Sequence, residues 1–443
     1  MTKELFPLPL TPFERYMLAD DRQEHPMTWV AQCDFQGSVD RECWEAAFND
    51  TLERHPLLTS VVNAKRFWKL SPIRPLIVWL AHGDSLTLKG SEYLDISQSP
   101  GIRVWIRHGD EKVQLTVQFH HACCDGVGAV QFLGEWFTAY HSRLGNRIKK
   151  LSQSNLGALT QRGRSRGRPV ARWLALKSFF SEALKFVTRR IAPLRGDATH
   201  AENLFPGLLE HTFSVEATQR IIQNARQADA TLNDLLLCDL FITLAEWNRQ
   251  TADPTRWLQI TIPTSLRRAG DLKCPAANLM GYAFMTRREA ECRDNRATLL
   301  ESIRVESASM RRRNVAQGTL NGIRHVSKIP GALSWCVSPK VCRATAVFSN
   351  LGHVTRRSRC SLPSENGRVV TGDLTLMRVR ASPPLRPKTN AVFMAAIYAG
   401  ELTIAMRADD RSLGRDNSHR LLERFVDRLF GSETKVDSLD EAS

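Results

Sequence analysis

The sequence predicts an α/β protein with mixed sheets, built from two subdomains. Three observations favour this class. The chain has 443 residues, which exceeds the length at which a single hydrophobic core usually stops growing. Helix-like and strand-like patterns of apolar residues are spread over both halves of the chain. A turn at 107–111 between two alternating runs is typical of an antiparallel hairpin.

The periodicity of apolar residues predicts the elements in chain order. Spacings of three and four residues predict helices near 11–20, 40–54, 127–143, 170–191, 215–228, 232–248, 294–313 and 416–430. Alternation and short apolar runs predict strands near 28–36, 76–81, 102–107, 112–120, 257–263, 281–287, 343–349, 390–399 and 401–407. The longest apolar stretch, from Ala391 to Met406, is interrupted by Gly400 and Glu401. This interruption indicates a buried hairpin rather than a membrane span.

The composition is that of an ordinary globular protein, with 42% hydrophobic and 24% charged residues. The first residues lack the apolar run of a signal peptide. The ten cysteines include no Cys-x-x-Cys pair, so we expect neither a zinc site nor a disulfide scaffold. These features favour a cytoplasmic location.

Positive charge is concentrated in the middle of the chain. Residues 143–195 carry 14 Lys and Arg against one acid, Glu182, and supply 13 of the net 15 positive charges. Residues 146–168 are polar and carry Gly and Ser, which indicates a mobile linker. Residues 170–193 have the pattern of a basic amphipathic helix. Such a helix usually docks on the protein's own core, and contact with an anionic membrane surface is the alternative.

The same charge has other candidate partners. Anionic CoA phosphates and an acidic carrier protein are both compatible with it. The segment contains no motif that reads a groove or stacks on bases, so no nucleic-acid partner is expected.

The most informative motif is the run H-H-A-C-C-D-G at residues 120–126. It follows an alternating run, 113–119, whose apolar side chains share one face, so His121 continues that face and His120 points the other way. A helical pattern begins directly afterwards and places Asp125 near the helix N-cap. A helix N-terminus disfavours the imidazolium, so the inward His121 is a candidate general base kept neutral.

Three other interpretations of this motif are open. A lone inward histidine is usually a hydrogen-bonded core residue. A metal site would draw on five ligands within residues 120–125. Side chains so close together at the end of a strand rarely point toward one ion, so no metal is expected. A nucleophilic Cys–His pair would use Cys123 or Cys124, although adjacent cysteines serve equally as small packing residues.

The motif resembles the H-H-x-x-x-D-G signature of the CoA-dependent acyltransferase superfamily. This superfamily includes chloramphenicol acetyltransferase, condensation domains of nonribosomal peptide synthetases, alcohol acetyltransferases and wax ester synthase/diacylglycerol acyltransferases. Further segments are similar to family motifs in the expected order: Pro9-Leu10-Thr11-Pro12-Phe13-Glu14, Arg54-His55-Pro56-Leu57-Leu58, Thr231-Leu232-Asn233-Asp234, Ile262-Pro263-Thr264-Ser265-Leu266-Arg267 with Asn278 and Gly281, and Phe348-Ser349-Asn350-Leu351-Gly352. The second match is partial, because Thr59 stands where the family has Arg.

The resemblance implies an architecture for the whole chain. It implies two chloramphenicol acetyltransferase-like subdomains, related as a pseudo-dimer, with an active-site tunnel between them. The first subdomain, 1–145, carries the histidine motif. A basic crossover segment, 146–205, leads to the second subdomain, 206–443.

The resemblance also implies roles for residues of the motif. His121 is the implied general base, and His120 supports the loop. Asp125 is structural and turns away into an ion pair, for which Arg267 is the candidate partner. Gly126 lets the backbone pass close to the substrate, and its N–H is a candidate donor to the oxyanion.

Outside the motif, Ser349 and Asn350 are candidate substrate-binding residues, although a turn at a strand end explains them equally well. Asn233 and Asp234 fit helix capping and contacts between subdomains better than catalysis.

The implied reaction moves an acyl group from acyl-CoA, as co-substrate, to a hydroxyl acceptor without a covalent intermediate or a cofactor. The implied partners are acyl-CoA and a small alcohol or amine. One alternative is a free-standing condensation-type domain that uses acyl carrier protein thioesters to form amides or esters. The other is an inactive family member that acts as a binding protein.

Overall fold

The computed structural model describes residues 3–86, 92–147, 151, 153–164, 188–197, 203–249, 256–268, 271, 273–357 and 361–431. Up to residue 164 the elements are β1 (Leu8–Pro9), α1 (Pro12–Asp20), β2 (Thr28–Gln36), α2 (Arg41–Arg54), β3 (Ser60–Asn63), β4 (Phe67–Leu70), β5 (Ile77–Ala81), β6 (Ile102–Gly109), β7 (Lys112–His120) and α3 (Gly126–Arg143), with short 3-10 helices at Lys3–Leu5, Pro56–Thr59 and Leu156–Gln161.

The remaining elements follow the crossover. They are β8 (Leu209–Thr212), α4 (Val215–Gln227), α5 (Leu232–Trp247), β9 (Trp257–Ser265), β10 (Met280–Arg288), α6 (Glu289–Asp294), α7 (Arg296–Arg313), α8 (Val315–Val326), α9 (Ala332–Cys336), β11 (Ala346–His353), α10 (Val354–Arg357), β12 (Ser364–Glu365), β13 (Arg368–Thr371), β14 (Leu374–Ser382), β15 (Ala391–Tyr398), β16 (Glu401–Ala408), α11 (Asp410–Leu413) and α12 (Arg415–Gly431).

Two large mixed sheets organise these elements. The first has the strand order β12-β13-β14-β2-β7-β6-β5, and the second has the order β10-β9-β11-β15-β16-β8. In the first sheet β5 is parallel to β6, whereas β2, β7 and β6 are antiparallel neighbours. In the second sheet β11 runs parallel to both β9 and β15. The predicted α/β class with mixed sheets is therefore confirmed.

Both predicted hairpins are present. β6 and β7 pair antiparallel, and Glu111 takes the left-handed conformation in the turn between them. β15 and β16 also pair antiparallel around Ala399 and Gly400, which both have positive φ. Both strands of the second hairpin are buried almost throughout. No helix in the described part of the chain combines the length and apolar character that crossing a bilayer requires.

Strand β14 connects the second half of the chain to the first sheet. It pairs with β2 along seven registered residue pairs from Thr375 to Ser382. Side chains of β15, among them Met394, Ala396 and Tyr398, also pack into the core of the first sheet. The division into 1–145 and 206–443 stays a prediction, and strand pairing crosses it, because residues 364–382 belong to the first sheet.

Several short elements and two longer ones, β14 and α8, were absent from the sequence prediction, and the helix predicted at 294–313 has a different start. A bulge between Leu376 and Arg378 interrupts the alternation of β14. Helix α8 carries two glycines within 315–326, which lower its helix propensity. The helix predicted at 294–313 begins after Asn295, whose side chain caps α7. The helix predicted at 170–191, and most of the amphipathic segment 170–193, lies outside the described residues.

The prediction that 146–168 is a mobile linker is wrong for its described part. Leu159 lies fully buried in the first core. The Arg162 guanidinium donates to both carboxylate oxygens of Glu14 at 2.8 and 3.0 Å, and both side chains are buried. The polar composition of the segment suggested exposure to solvent. Arg162 is nevertheless buried, because its charge is neutralised by the carboxylate of Glu14 near the start of α1.

Replacement of Arg162 by methionine is expected to destabilise the protein by about 3 kcal/mol, because it leaves Glu14 as a buried carboxylate without its counterion. Chemical denaturation of the purified variant measures the change. Arg164→Met is the matched control, since Arg164 is exposed two residues further on, and it should unfold like the parent. Equal unfolding midpoints for both variants would restore the linker interpretation.

Candidate active site

Strand β7, which lies between β2 and β6 in the first sheet, leads the chain to the histidine motif at a junction between a strand and a helix. β7 ends at His120, the last residue paired with β2. The chain then turns, and α3 begins at Gly126. Asp125 caps this helix, because its Oδ1 accepts a hydrogen bond from the N–H of Gly128 at 2.8 Å. The predicted strand–helix junction is therefore present, with Asp125 at the N-cap.

His121 is held by its backbone on both sides. Its N–H donates to the carbonyl of Met27 at 2.7 Å, and its carbonyl accepts from the side-chain amide of Asn278 at 2.7 Å. The residue is 8% exposed, and its ring lies 6.2 Å from the ring of Trp29. Trp29 in turn donates to the carbonyl of Cys124 at 3.1 Å, which supports the same turn.

The environment of His121 favours the neutral imidazole. Burial lowers its pKa from 6.5 to about 4, and the nearby carbonyl of His121 itself and the carboxylate of Asp125 offset this only in part. The ring Nδ1 is buried without a hydrogen-bond partner among the described residues. The sequence analysis attributed neutrality to the helix N-terminus, whereas burial is the largest cause in the structure. At physiological pH such a ring is neutral and has a nitrogen lone pair with which to take a proton from an acceptor during a reaction.

Asp125 and Arg267 form a buried ion pair. Arg267 Nη1 lies 2.6 Å from Asp125 Oδ2, and the same carboxylate oxygen accepts from the N–H of Leu279 at 2.7 Å. Burial alone would lower the pKa of Arg267, but the adjacent Asp125 raises it above its ordinary value. The structure thus brings together the two residues that the sequence analysis paired, and the carboxylate is turned into this contact.

His120 faces a different set of partners. Its Nδ1 accepts from the N–H of Ala122 at 3.2 Å, so Nε2 carries the proton and donates to Asp21 at 3.3 Å. Although it projects from the other side of the strand, His120 is fully buried. With both ring nitrogens engaged, it stabilises the turn and has no free position for a substrate proton.

The two cysteines of the motif are packing residues. Both are fully buried, and burial raises the pKa of each thiol well above its ordinary value. A side chain at Gly101 would meet the sulfur of Cys123 at 2.1 Å, which shows how closely the backbone just before β6 packs on the turn. A thiolate is therefore strongly disfavoured at either position. Within the described residues no cluster of His, Cys, Asp or Glu forms a metal site.

A segment of the second half, residues 276–279, lies against the histidine turn. Besides the contacts of Asn278 and Leu279, the carbonyl of Ala277 accepts from the N–H of Asp125 at 3.4 Å and from Arg267 Nη2 at 2.9 Å. This 276–279 segment bonds to residues at both ends of the turn, His121 and Asp125. The halves of the chain therefore meet at the candidate base.

The 276–279 segment is itself anchored by the Arg-His-Pro motif. His55 Nδ1 accepts from the N–H of Ala276 at 2.8 Å, and His55 Nε2 lies 3.2 Å from Glu135. Arg54 donates to the same carboxylate at 2.5 Å. Although burial would raise the pKa of Glu135, the hydrogen bonds from His55 and Arg54 lower it to about 2.

Sequence analysis did not assign these supporting residues to the site. His55 and Asn278 stand in quoted motifs, which was the available signal. Glu135 and Trp29 lie within ordinary helix and strand patterns, and their contacts span 80 and 95 positions of sequence. Only the folded structure brings them to the histidine turn.

The Ser-Asn-x-Gly segment reaches the site through a neighbour. Strand β11 is bulged between Asn350 and Gly352, and a side chain at Gly126 would lie 3.1 Å from the tip of Leu351. The amide of Asn350 donates to Asn233 at 3.2 Å and accepts from the N–H of Gly352 at 2.8 Å. These bonds fix a turn, and the substrate-binding roles of Ser349 and Asn350 stay predictions.

The structure also explains the segment that begins α5. Thr231 and Asp234 form a reciprocal capping box, with a 2.6 Å bond between the hydroxyl of Thr231 and the carboxylate of Asp234. Capping is the role that the sequence analysis favoured for Asp234, and Asn233 next to it makes the contact with Asn350.

Comparison with known proteins locates this architecture among solved structures. No protein-family model matches the sequence, and no curated protein matches it. The fold is similar to the first condensation domain of the CDA synthetase, with TM-score 0.69 and 14% identity over 95% of each chain.

Two further solved structures are similar in fold. Trichothecene 15-O-acetyltransferase TRI3 from Fusarium sporotrichioides has TM-score 0.65 and 12% identity over 95% of this chain and 93% of that one. Polyketide synthase associated protein 5 from Mycobacterium tuberculosis has TM-score 0.64 and 16% identity over 97% of this chain and 98% of that one. The chain therefore shares its two-subdomain fold with this condensation domain, with TRI3 and with polyketide synthase associated protein 5.

Proposed function

We propose that this protein is an acyltransferase that moves an acyl group from acyl-CoA to a hydroxyl acceptor, with His121 as general base. The observation that carries the proposal is the state of His121. It is a backbone-anchored imidazole at the meeting point of the two halves, and its pKa of about 4 keeps it neutral near pH 7. The aspartate of the motif faces Arg267, so within the motif His121 is our candidate for the base.

The chemistry needs no covalent intermediate, because a thioester is already activated. The acceptor oxygen attacks the thioester carbonyl carbon while the imidazole of His121 takes the hydroxyl proton. The tetrahedral intermediate then collapses, the carbon–sulfur bond breaks, and the imidazolium returns its proton to the departing thiolate. The products are an ester and free CoA, and the histidine is neutral again.

The start of α3 is the candidate source of oxyanion stabilisation. The first amides of a helix have no carbonyl partner within the helix, and Gly126 is its first residue. The N–H of Gly126 is accordingly our candidate donor to the oxyanion. A side chain at this position would press on Leu351, so the glycine also permits close approach of β11.

Thiol release from a panel of thioesters tests the proposal. Acetyl-, medium-chain and long-chain acyl-CoAs are each mixed with alcohols and, separately, with amines. We expect release of CoA with an alcohol acceptor and formation of an ester, which mass spectrometry of the product identifies. The second candidate, a condensation-type activity, is favoured by the similarity to the CDA synthetase condensation domain. Turnover restricted to an acyl carrier protein would select it, and no turnover with either donor would leave a binding protein.

A further inference from the structure

His121 sits where the β-sheet no longer restrains the backbone. The ladder between β2 and β7 ends at His120, so the peptide groups of His121 are held by two contacts outside the sheet. One is the bond from its N–H to Met27, and the other is the 2.7 Å bond from Asn278 to its carbonyl. A carbonyl oxygen only accepts hydrogen bonds, so the amide atom that faces it is Nδ2.

Asn278 is presented to His121 from an anchored backbone. Its neighbours Ala277 and Leu279 bond to Asp125, and Ala276 is held by His55. The side chain is 5% exposed. The donor group therefore has little freedom to move away from the carbonyl.

Burying the side-chain amide of Asn278 at this position costs free energy. Asn278 Oδ1 is buried and has no hydrogen-bond partner among the described residues, and the residue lines a narrow crevice together with the apolar side chains of Phe13, Leu266 and Met280. An unsatisfied buried acceptor costs about 1–3 kcal/mol. An apolar residue would pack here without that cost. The presence of asparagine therefore indicates that the hydrogen bond from its Nδ2 to the carbonyl of His121 has a function.

We propose that Asn278 is a positioning residue for His121, which fixes the carbonyl of the histidine and through it the direction of the ring. This inference rests on the proposed function, since it supplies the base with its geometry. A general base must be held within about 0.5 Å of its working position, and a displacement of about 1 Å costs up to about 100-fold in rate. The amide couples the base directly to the second half of the chain.

Two substitutions test the donor. Asn278→Ala removes the amide, and Asn278→Asp keeps its size but places an acceptor against the carbonyl. Both are expected to lower kcat of acyl transfer by about 10-fold or more, with KM for the acyl-CoA changed less than about twofold. The matched control is Asn390→Ala. Asn390 is a buried asparagine, 8% exposed, whose Nδ2 donates to the carbonyl of Leu194 at 2.8 Å, and this variant should retain its kcat.

A second readout does not depend on turnover. NMR titration of the His121 ring, assigned by comparison with His121→Gln, should show the native ring neutral down to about pH 4. In Asn278→Ala a loosened, better hydrated ring should titrate closer to 6.5, whereas Asn390→Ala should keep the native curve.

The outcomes separate the two proposals. Equal loss of kcat in Asn278→Ala and Asn390→Ala, or full activity in Asn278→Asp, would overturn the positioning role. If the native protein transfers no acyl group, the proposed function fails, and the titration alone decides. A shifted His121 curve in Asn278→Ala then supports the positioning contact, and an unshifted curve removes it.

Discussion

Replacement of His121 by alanine is expected to lower kcat/KM for acyl transfer by about 100- to 10,000-fold, the usual contribution of a general base. Folding should survive, because the ring Nδ1 has no hydrogen-bond partner among the described residues and the backbone contacts to Met27 and Asn278 do not need the imidazole. Steady-state kinetics and thermal unfolding of the purified variant measure the two effects separately.

His141→Ala is the matched control for this experiment. His141 is another buried histidine, and its Nδ1 accepts from the N–H of Gly372 at 2.9 Å, away from the motif. This variant should retain its activity. Substantial activity in His121→Ala would remove His121 from the role of base.

The pH dependence of the native protein follows from the same ring. Because the pKa of His121 is lowered to about 4, the neutral base persists across neutral pH, and kcat/KM should fall only as the pH approaches 4. Stability follows the same sign. Between 6.5 and about 4 the unfolded chain binds a proton that the folded ring resists, so this contribution is complete above 6.5 and declines as the pH falls. An acid limb near 6.5 in kcat/KM would contradict the buried, neutral base.

Replacement of Asp125 by asparagine is expected to destabilise the protein by about 3–5 kcal/mol, since it leaves the buried Arg267 without its counterion. Asparagine is as good an N-cap as aspartate, so α3 keeps its cap and the loss reports the ion pair. Activity should fall together with stability, because the turn that carries His121 loosens. Denaturant unfolding measures the free energy, and kcat at a temperature where the variant is folded measures the effect on the site.

Asp50→Asn is the control for the charge change. Asp50 pairs with Arg143 at 2.6 Å on the surface, where ion pairs contribute little, so this variant should unfold like the parent. If Asp125→Asn also kept the unfolding midpoint of the parent, Asp125 would have no structural role, and a direct part in the reaction would have to be considered.

The spacing of apolar residues was sufficient to predict most of the longer helices and strands. The strands of the histidine hairpin and the helix after it lie where alternation and helical spacing predicted them, because their apolar residues recur with the period of a strand or a helix. The pairing of Asp125 with Arg267 came from the motif resemblance alone, since 142 positions separate the two residues. No local pattern contains such a contact.

The remaining differences have physical causes that a linear pattern does not contain. The strand β14 escaped notice because a bulge shifts its alternation at Leu376. The polar segment around Arg162 was predicted to be exposed to solvent, although Glu14 neutralises the charge of Arg162 inside the protein. The supporting residues His55 and Asn278 act through backbone groups of other segments, and such bonds leave no trace in the spacing of apolar residues.

The insertion of β14 beside β2 has a consequence for how the chain is made. Since β2 pairs on one edge with a strand that ends at Ser382, a nascent chain leaves that edge of β2 unpaired until Ser382 has been synthesised. An unpaired strand edge is a template for intermolecular association. Fragments that stop after α3 should therefore aggregate, and the first sheet closes only after residues 364–382 have been synthesised.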